Sequence, residues 1–411
     1  MPPASGLVLL PAEADPAALE AALRRLSRGG GVVGLAPALE VPALREAMGE
    51  GDGVAGGWRR GPAVVVGSGG STGRRRWCLQ PLAHLWASAD ATGAWLASLG
   101  VDPSTALVVN PLPWHHVSGL MPWLRAERWG AEHGRLTPAQ LRQPADLARA
   151  CPHRPGRAAL LSLVPTQLHR LMADPAGLDW LQGFRLIWIG GAPLPAADRS
   201  RAREAGLPLA PCYGGTETAS MVTALSPEAF LRGEDGCGAA LPHARIRIGP
   251  APGAVEVRAT SLSPGHMEGG RLRPLAMEGG WWRSGDRGRL TPEGLLVLGR
   301  LDGAVHSGGE TVFPDEVERA LRTLAHQGNL PLMALVLVAQ PDPEWGERLV
   351  ALVRADGGRD VHGLIRALQA LAVALPPAQR PRDWRPCPAL EPNALGKWER
   401  QRWREWLSLQ E

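Results

Sequence analysis

The sequence predicts an α/β protein: a large N-terminal α/β domain carrying a β-rich subdomain, followed by a small C-terminal α+β domain. Three observations carry this expectation. Short apolar runs alternate with longer stretches of helical spacing through the first half of the chain. From about Arg245 the pattern changes to short alternating strands separated by Gly and Pro. After the turn signal Asp302-Gly303 comes a compact helix–strand–strand–helix pattern.

In chain order, residues 17–26 have helical spacing and 31–35 read as a strand, with no site visible before residue 60. Ala63-Val64-Val65-Val66 is a buried-strand pattern that runs into a Gly/Ser-rich loop. Apolar strands follow at 106–109, 159–164 and 186–189, with helices at 83–99 and 166–172 between them. The β-rich part opens with 245–248 and 255–257. A boundary at Asp302 divides the chain into 1–301 and 302–411. Beyond it 314–324 and 361–375 read as helices, and 332–338 and 348–353 as strands. The Pro-rich run 375–388 reads as a surface connection.

The 411 residues are 45% hydrophobic and 20% charged, the balance of a globular protein with a substantial core. No apolar run is long enough for a membrane span, and the N-terminus lacks a signal-peptide pattern, which leads to the expectation of a cytoplasmic protein. The five cysteines, at 78, 151, 212, 237 and 387, are scattered and never spaced as CxxC, which argues against a disulfide framework or a zinc site. The net charge of +4 is small and spread along the chain without an RNA-module motif, and an anionic small molecule accounts for it as well as nucleic acid would. Every basic residue other than His is Arg except Lys397, and Tyr213 is the single tyrosine. Both survivors fall inside motifs.

Five segments could carry chemistry. Gly67-Ser68-Gly69-Gly70-Ser71-Thr72-Gly73, followed by three Arg, offers backbone N–H groups, hydroxyls and positive charge to a triphosphate; alone it also fits a surface loop, and it is not a Walker A loop. In Pro211-Cys212-Tyr213-Gly214-Gly215-Thr216-Glu217-Thr218 the glycines admit a ligand, Thr216 offers a hydroxyl and Glu217 a hard oxygen for Mg²⁺, while Tyr213 could stack on a base. Ser284-Gly285-Asp286 reads as a tight turn whose Asp could accept a ribose diol. The fourth segment runs from Gly299-Arg300-Leu301-Asp302 through Ser307-Gly308-Gly309-Glu310 to Pro314-Asp315-Glu316-Val317-Glu318. The fifth is Asn393-Ala394-Leu395-Gly396-Lys397.

Taken in order, and with Pro113-Trp114-His115-His116-Val117-Ser118-Gly119 and Gly190-Gly191-Ala192-Pro193-Leu194 between them, these segments resemble the adenylate-forming superfamily of acyl-CoA synthetases, adenylation domains and luciferases. The likeness covers about residues 63–400. The short length and the segments 112–130 and 162–171 are most similar to o-succinylbenzoate–CoA ligases of menaquinone and phylloquinone synthesis.

The resemblance implies an AMP-forming ligase that uses ATP, Mg²⁺ and CoA on a small carboxylic acid. It places Ser68, Gly70, Ser71, Thr72, Gly73 and Thr216 at phosphates, and Glu217 at Mg²⁺. Gly191, Ala192, Pro193 and Tyr213 would frame the adenine, Gly214 would be a further nucleotide-binding position, Asp286 would take the ribose hydroxyls, and Arg300 would lie near ribose or phosphate. Lys397 would bridge the reacting carboxylate and phosphate, and His116 would lie near the acyl group. The C-terminal domain would be mobile, swinging about Asp302 to bring Ser307, Gly308 and Gly309 to the site for thiol attack. Arg125 and Arg128 are candidates for a second substrate carboxylate, though each more often would be a surface Arg.

Two departures stand out. Arg75 and Arg76 replace the family's Pro-Lys, and Gly69 replaces a Ser or Thr. The segment before the loop is also shorter than the family's, so part of the outer scaffold is expected to be missing. Another acyl-CoA synthetase, an enzyme that loads a carrier protein and a non-catalytic nucleotide-binding relative are the competing expectations.

Overall fold

The computed structural model describes residues 7–11, 16–28, 31–49, 58, 61–68, 75–250, 252–301, 303–307, 310–342, 346–393 and 398–410. The expected positions Gly70, Ser71, Thr72, Gly73, Asp302, Gly308, Gly309 and Lys397 lie outside them.

Among the described residues the strands form four sheets. The seven-stranded sheet runs Ala239–Ala240, Ser220–Ala224, Leu209–Gly215, Leu186–Ile189, Ala159–Leu163, Leu107–Asn110, Glu132–Arg135. Its last five strands are parallel. Strands covered on both faces read as unbroken apolar runs, which is why the sequence shows them. Val109, Leu161, Leu163, Ile187 and Ile189 pack on one side. Their neighbours Val108, Leu160, Leu186 and Trp188 pack on the other.

The six-stranded sheet runs Leu7–Pro11, Val32–Ala36, Ala63–Ser68, Arg76–Pro81, Gly265–Glu268, Arg271–Pro274. Helices Leu82–Ser98 and Val117–Trp129 fill the space between the two sheets. Leu82, Leu85, Ala89, Leu120 and Leu124 press on Val33, Leu35, Val64 and Val66. Leu96 and Ala126 face the seven-stranded sheet.

The β-rich part pairs Ala244–Ile248, Ala254–Ala259, Trp281–Thr291 and Met277–Glu278, with Gly294–Arg300 joined to Trp281–Thr291. This corrects one expectation. Ser284-Gly285-Asp286 is not a tight turn but the middle of the eleven-residue strand Trp281–Thr291. Its residues do not alternate cleanly because the register shifts between Arg287 and Gly288. Pairing with neighbours on both sides makes it a strand.

The C-terminal sheet runs Glu310–Val312, Val305–Ser307, Gly346–Ala355, Leu332–Asp342. Helices Pro314–Gln327 and Val361–Ala372 cover one face through Val317, Leu321, Leu364 and Leu368. Helix Arg400–Ser408 covers the other through Trp403 and Leu407. Part of the 375–388 run, expected as a surface connection, forms the strand Asp383–Pro386, parallel to Gly346–Ala355. Such an edge position tolerates the prolines at 381 and 386. Helix Pro314–Gln327 rests on the β-rich part: the Arg300 N–H donates to Asp315 Oδ2 at 2.9 Å and Arg287 pairs with Glu316 at 2.5 Å.

Candidate active site

Ligands of parallel α/β sheets bind beyond the carboxyl ends of the strands. Three of the expected segments leave the sheet at that edge. After Leu107–Asn110, Asn110 Nδ2 donates to the Gly119 carbonyl at 2.7 Å and Oδ1 accepts the Leu112 N–H at 3.0 Å, which folds 112–119 back over the helix start. Gly119 is required there, because a Cβ would stand 2.1 Å from the Pro113 carbonyl oxygen. His116 is the N-cap residue of helix Val117–Trp129, half-buried, with its ring 4.2 Å from that of His115. After Leu186–Ile189 the chain turns at Gly191, whose φ of +83° suits glycine, and leaves Ala192 half-buried and Pro193 exposed.

The third segment is the hairpin that joins Leu209–Gly215 to Ser220–Ala224. Thr218 Oγ1 accepts the Gly215 N–H at 2.8 Å and donates to the Ser220 carbonyl at 2.6 Å. Gly214 lies so close to Ser220 that a Cβ would meet its carbonyl oxygen at 2.0 Å. Ala219 and Ser220 carry φ of +54° and +90°, conformations that side chains disfavour and that cluster at functional sites. The Thr216 carbonyl accepts from Gln80 Nε2 at 2.5 Å, and the Thr216 side chain is half-buried.

Glu217 is 8% exposed. Burial alone would raise its pKa, but the hydrogen bond from His266, at 3.2 Å from Oε1, and the charge of Arg76 hold the carboxyl below the ordinary range. Asp286 is drawn to the same hairpin. Tyr213 donates its hydroxyl to Asp286 Oδ2 at 2.7 Å and lies 3.0 Å from Ser284 Oγ. Arg300, the cross-strand partner of Asp286, sets Nη1 3.2 Å from Oδ1. Gly285 leaves room for that guanidinium, since a Cβ there would lie 2.5 Å from Nη2. Burial first, and the Asp286 charge second, push the Tyr213 phenol well above its ordinary pKa. Tyr213, Asp286 and Arg300 thus form one connected group.

Ser68 is buried where the strand Ala63–Ser68 enters the glycine loop, and its hydroxyl has no hydrogen-bond partner among the described residues. Ser307 is apart from this group: it is buried in the C-terminal sheet, opposite Gly346. Arg75, one of the two replacements in the loop, pairs with Glu40 at 2.5 Å.

Residues 42–259, just over half of the chain, match the family model described as AMP-binding enzyme. The chain belongs to the AMP-binding enzyme family. Among curated relatives, the 2-succinylbenzoate–CoA ligase of Salmonella typhimurium (strain LT2) is 36% identical over 244 residues, covering 59% of this chain and 48% of the relative. That of Escherichia coli (strain K12) is 31% identical over 301 residues, covering 73% and 60%. The solved structure of wild-type E. coli MenE, with a bound phenylether-linked analogue of OSB-AMS, is similar with a TM-score of 0.64 at 26% identity, over 97% of this chain and 81% of that one. The chain spans about half to three-fifths of the length of the two curated ligases.

The sequence leaves Arg125 open between a partner for a second carboxylate and a surface residue, with the surface the commoner case; in this AMP-binding enzyme it is 2% exposed. Its Nη2 lies 3.2 Å from Ser220 Oγ and its guanidinium 5.3 Å from the Trp188 ring centre, yet no carboxylate pairs with it among the described residues. Burial pushes its pKa down to about 10. The available signal was its place four residues after Met121, inside the buried stripe of its helix. Arg128 is on the surface, paired with Asp90 at 2.8 Å. His266 lies in no motif the sequence offered.

A group of three or more His, Cys, Asp or Glu side chains able to hold a metal ion is absent among the described residues. One buried, ionised carboxylate at Glu217 suits a different case: Mg²⁺ that arrives with phosphate oxygens and takes one or two carboxylates. The donor set therefore fits Mg²⁺ and not a protein-enclosed metal.

Proposed function

We propose that this AMP-binding enzyme is an ATP-dependent 2-succinylbenzoate–CoA ligase acting in the cytoplasm in menaquinone or phylloquinone biosynthesis. The single observation that carries the choice of acid is Arg125, a buried cation without a carboxylate partner among the described residues, touching the hairpin of the nucleotide motif. A guanidinium kept out of water needs an anion. An acid with a second carboxylate supplies it, and the named relatives act on such an acid. No helix of the described residues is long and apolar enough to cross a membrane.

In the first half-reaction the acid's carboxylate attacks the α-phosphate of ATP and pyrophosphate leaves. In the second the CoA thiol attacks the acyl carbon and AMP leaves. The work is positioning plus electrostatics. Ser68, Thr216 and the glycine loop hold phosphate oxygens, and the Asp286–Arg300 pair meets the ribose. Glu217 would hold Mg²⁺, which neutralises phosphate charge. Lys397 brings a compact cation to the reacting carboxyl and phosphoryl oxygens. The unit 302–411 turns about Asp302 between the halves.

Pyrophosphate release that requires 2-succinylbenzoate, followed by thioester formation when CoA is added, is the expected result. Release with benzoate or a fatty acid but not with succinylbenzoate would assign the chain to another acyl-CoA synthetase. Lys397→Ala is expected to abolish adenylate formation while sparing thioester formation from supplied acyl-adenylate; equal loss in both halves would remove Lys397 from its role.

A further inference from the structure

We propose that His266 is a positioning residue: it fixes the rotamer of Glu217 and thereby sets how tightly the chain holds Mg²⁺ together with ATP. This rests on the reading of Glu217 as the magnesium ligand.

One short segment grips Glu217 at both ends. The Ser263 N–H donates to the Glu217 carbonyl at 2.7 Å. Three residues on, His266 Nε2 stands 3.2 Å from Oε1. The segment is itself fastened to the strand beside the phosphate loop. Ser263 Oγ donates to the Leu79 carbonyl at 2.7 Å and accepts the Gly265 N–H at 3.0 Å. His266 lies opposite Cys78 and Met267 opposite Trp77 in the ladder with Arg76–Pro81. Both interacting side chains are shielded, His266 at 16% and Glu217 at 11% exposure.

The chemistry gives the contact a direction. An ionised carboxylate only accepts, so Nε2 carries the proton and donates. That occupies Oε1. Oε2 lies beside Gly215, which carries no side chain, at a distance where even a Cβ would make only an ordinary contact, 3.4 Å. A carboxylate held by one oxygen presents the other without losing side-chain freedom at the moment of binding. Outer partners of this kind alter metal affinity by about 10- to 100-fold.

The test is calorimetric titration of ATP into the full chain at a series of Mg²⁺ concentrations, with AMP titrated in the absence of metal as a control for an intact nucleotide site. His266→Ala is expected to raise the Mg²⁺ concentration for half-maximal enhancement of ATP binding by about tenfold, with AMP binding unchanged. His266→Gln places an N–H donor close to the Nε2 position and is expected to restore most of the loss, which a merely structural role would not produce. Glu217→Gln is the companion variant. If it shifts the Mg²⁺ dependence while His266→Ala leaves it at the wild-type value, the positioning role is overturned and the metal reading stands. If neither variant shifts it, the reading of Glu217 has failed and the proposal falls with it.

Discussion

Arg125 shows what a single side chain can decide. Its guanidinium is stripped of water, touches Ser220 and faces the Trp188 ring. A hydrogen bond to a charged group contributes about 1.5–3 kcal/mol. Arg125→Met is therefore expected to lower kcat/KM for 2-succinylbenzoate by roughly 10- to 150-fold and to leave a monocarboxylic aromatic acid little affected. The melting temperature should hold or rise, because an apolar side chain replaces a buried unpaired charge. Buried histidines set a pH limit. Burial, with the charge of Arg135, lowers His133 to about 4, and burial, with the charge of Arg125, lowers His243 to about 4. The unfolded chain takes up these protons near pH 6.5 and the folded chain resists them, so stability is complete above that value and declines as pH falls toward 4. Denaturant melts between pH 7.5 and 4 should show the decline, and His133→Gln should make it shallower.

At the scale of elements, the hairpin from Leu209 to Ala224 concentrates backbone strain beside Glu217 and Arg125. Its tight turn needs Gly214 and puts Ala219 and Ser220 at positive φ. Ser220→Gly should relieve about 1 kcal/mol of strain and raise the melting temperature, while removing the hydroxyl beside Arg125 and weakening acid binding. The hairpin was legible because its glycines, Thr and Glu stand consecutively in the chain. The strand Trp281–Thr291 was not. It has two glycines and four charged residues among eleven, and only the ladders on its two sides hold it extended.

Across the whole molecule, a half-buried ionic group ties the last helix to helix Pro314–Gln327. Arg400 pairs with Asp315 and Glu318 and donates to the Leu337 carbonyl at 2.9 Å. Asp315 also accepts the Arg300 N–H, and the absent Cβ of Gly299 permits that approach, since a Cβ would lie 2.6 Å from that of Asp315. Glu318 is 2% exposed and keeps Arg322 at 3.3 Å and the Leu337 N–H at 2.8 Å, so Arg400→Ala removes one of its two cations and is expected to cost about 1–3 kcal/mol. Thermal melting followed by tryptophan fluorescence would register it, since Trp403 and Trp406 lie on the same helix. Unchanged melting would show that the group contributes nothing. Because Arg400 follows Lys397 by three residues, adenylate formation in this variant should fall more than thioester formation.

Because strands buried on both faces are apolar throughout, the amino-acid sequence by itself showed three strands of the α/β layer, at 106–109, 159–164 and 186–189, though not their parallel pairing. It also determined the order of the nucleotide motifs, because each is a contiguous run whose glycines and hydroxyls act locally. Tertiary structure alone decided the rest. His266 meets Glu217 across 49 positions, and Arg125 meets Ser220 across 95. Those meetings depend on which strands become neighbours and which helix lies between two sheets. A local pattern of residue types carries no information about either, so a histidine outside every motif became visible, and an arginine open between acid binding and the surface was found buried, only once the sheets were assembled.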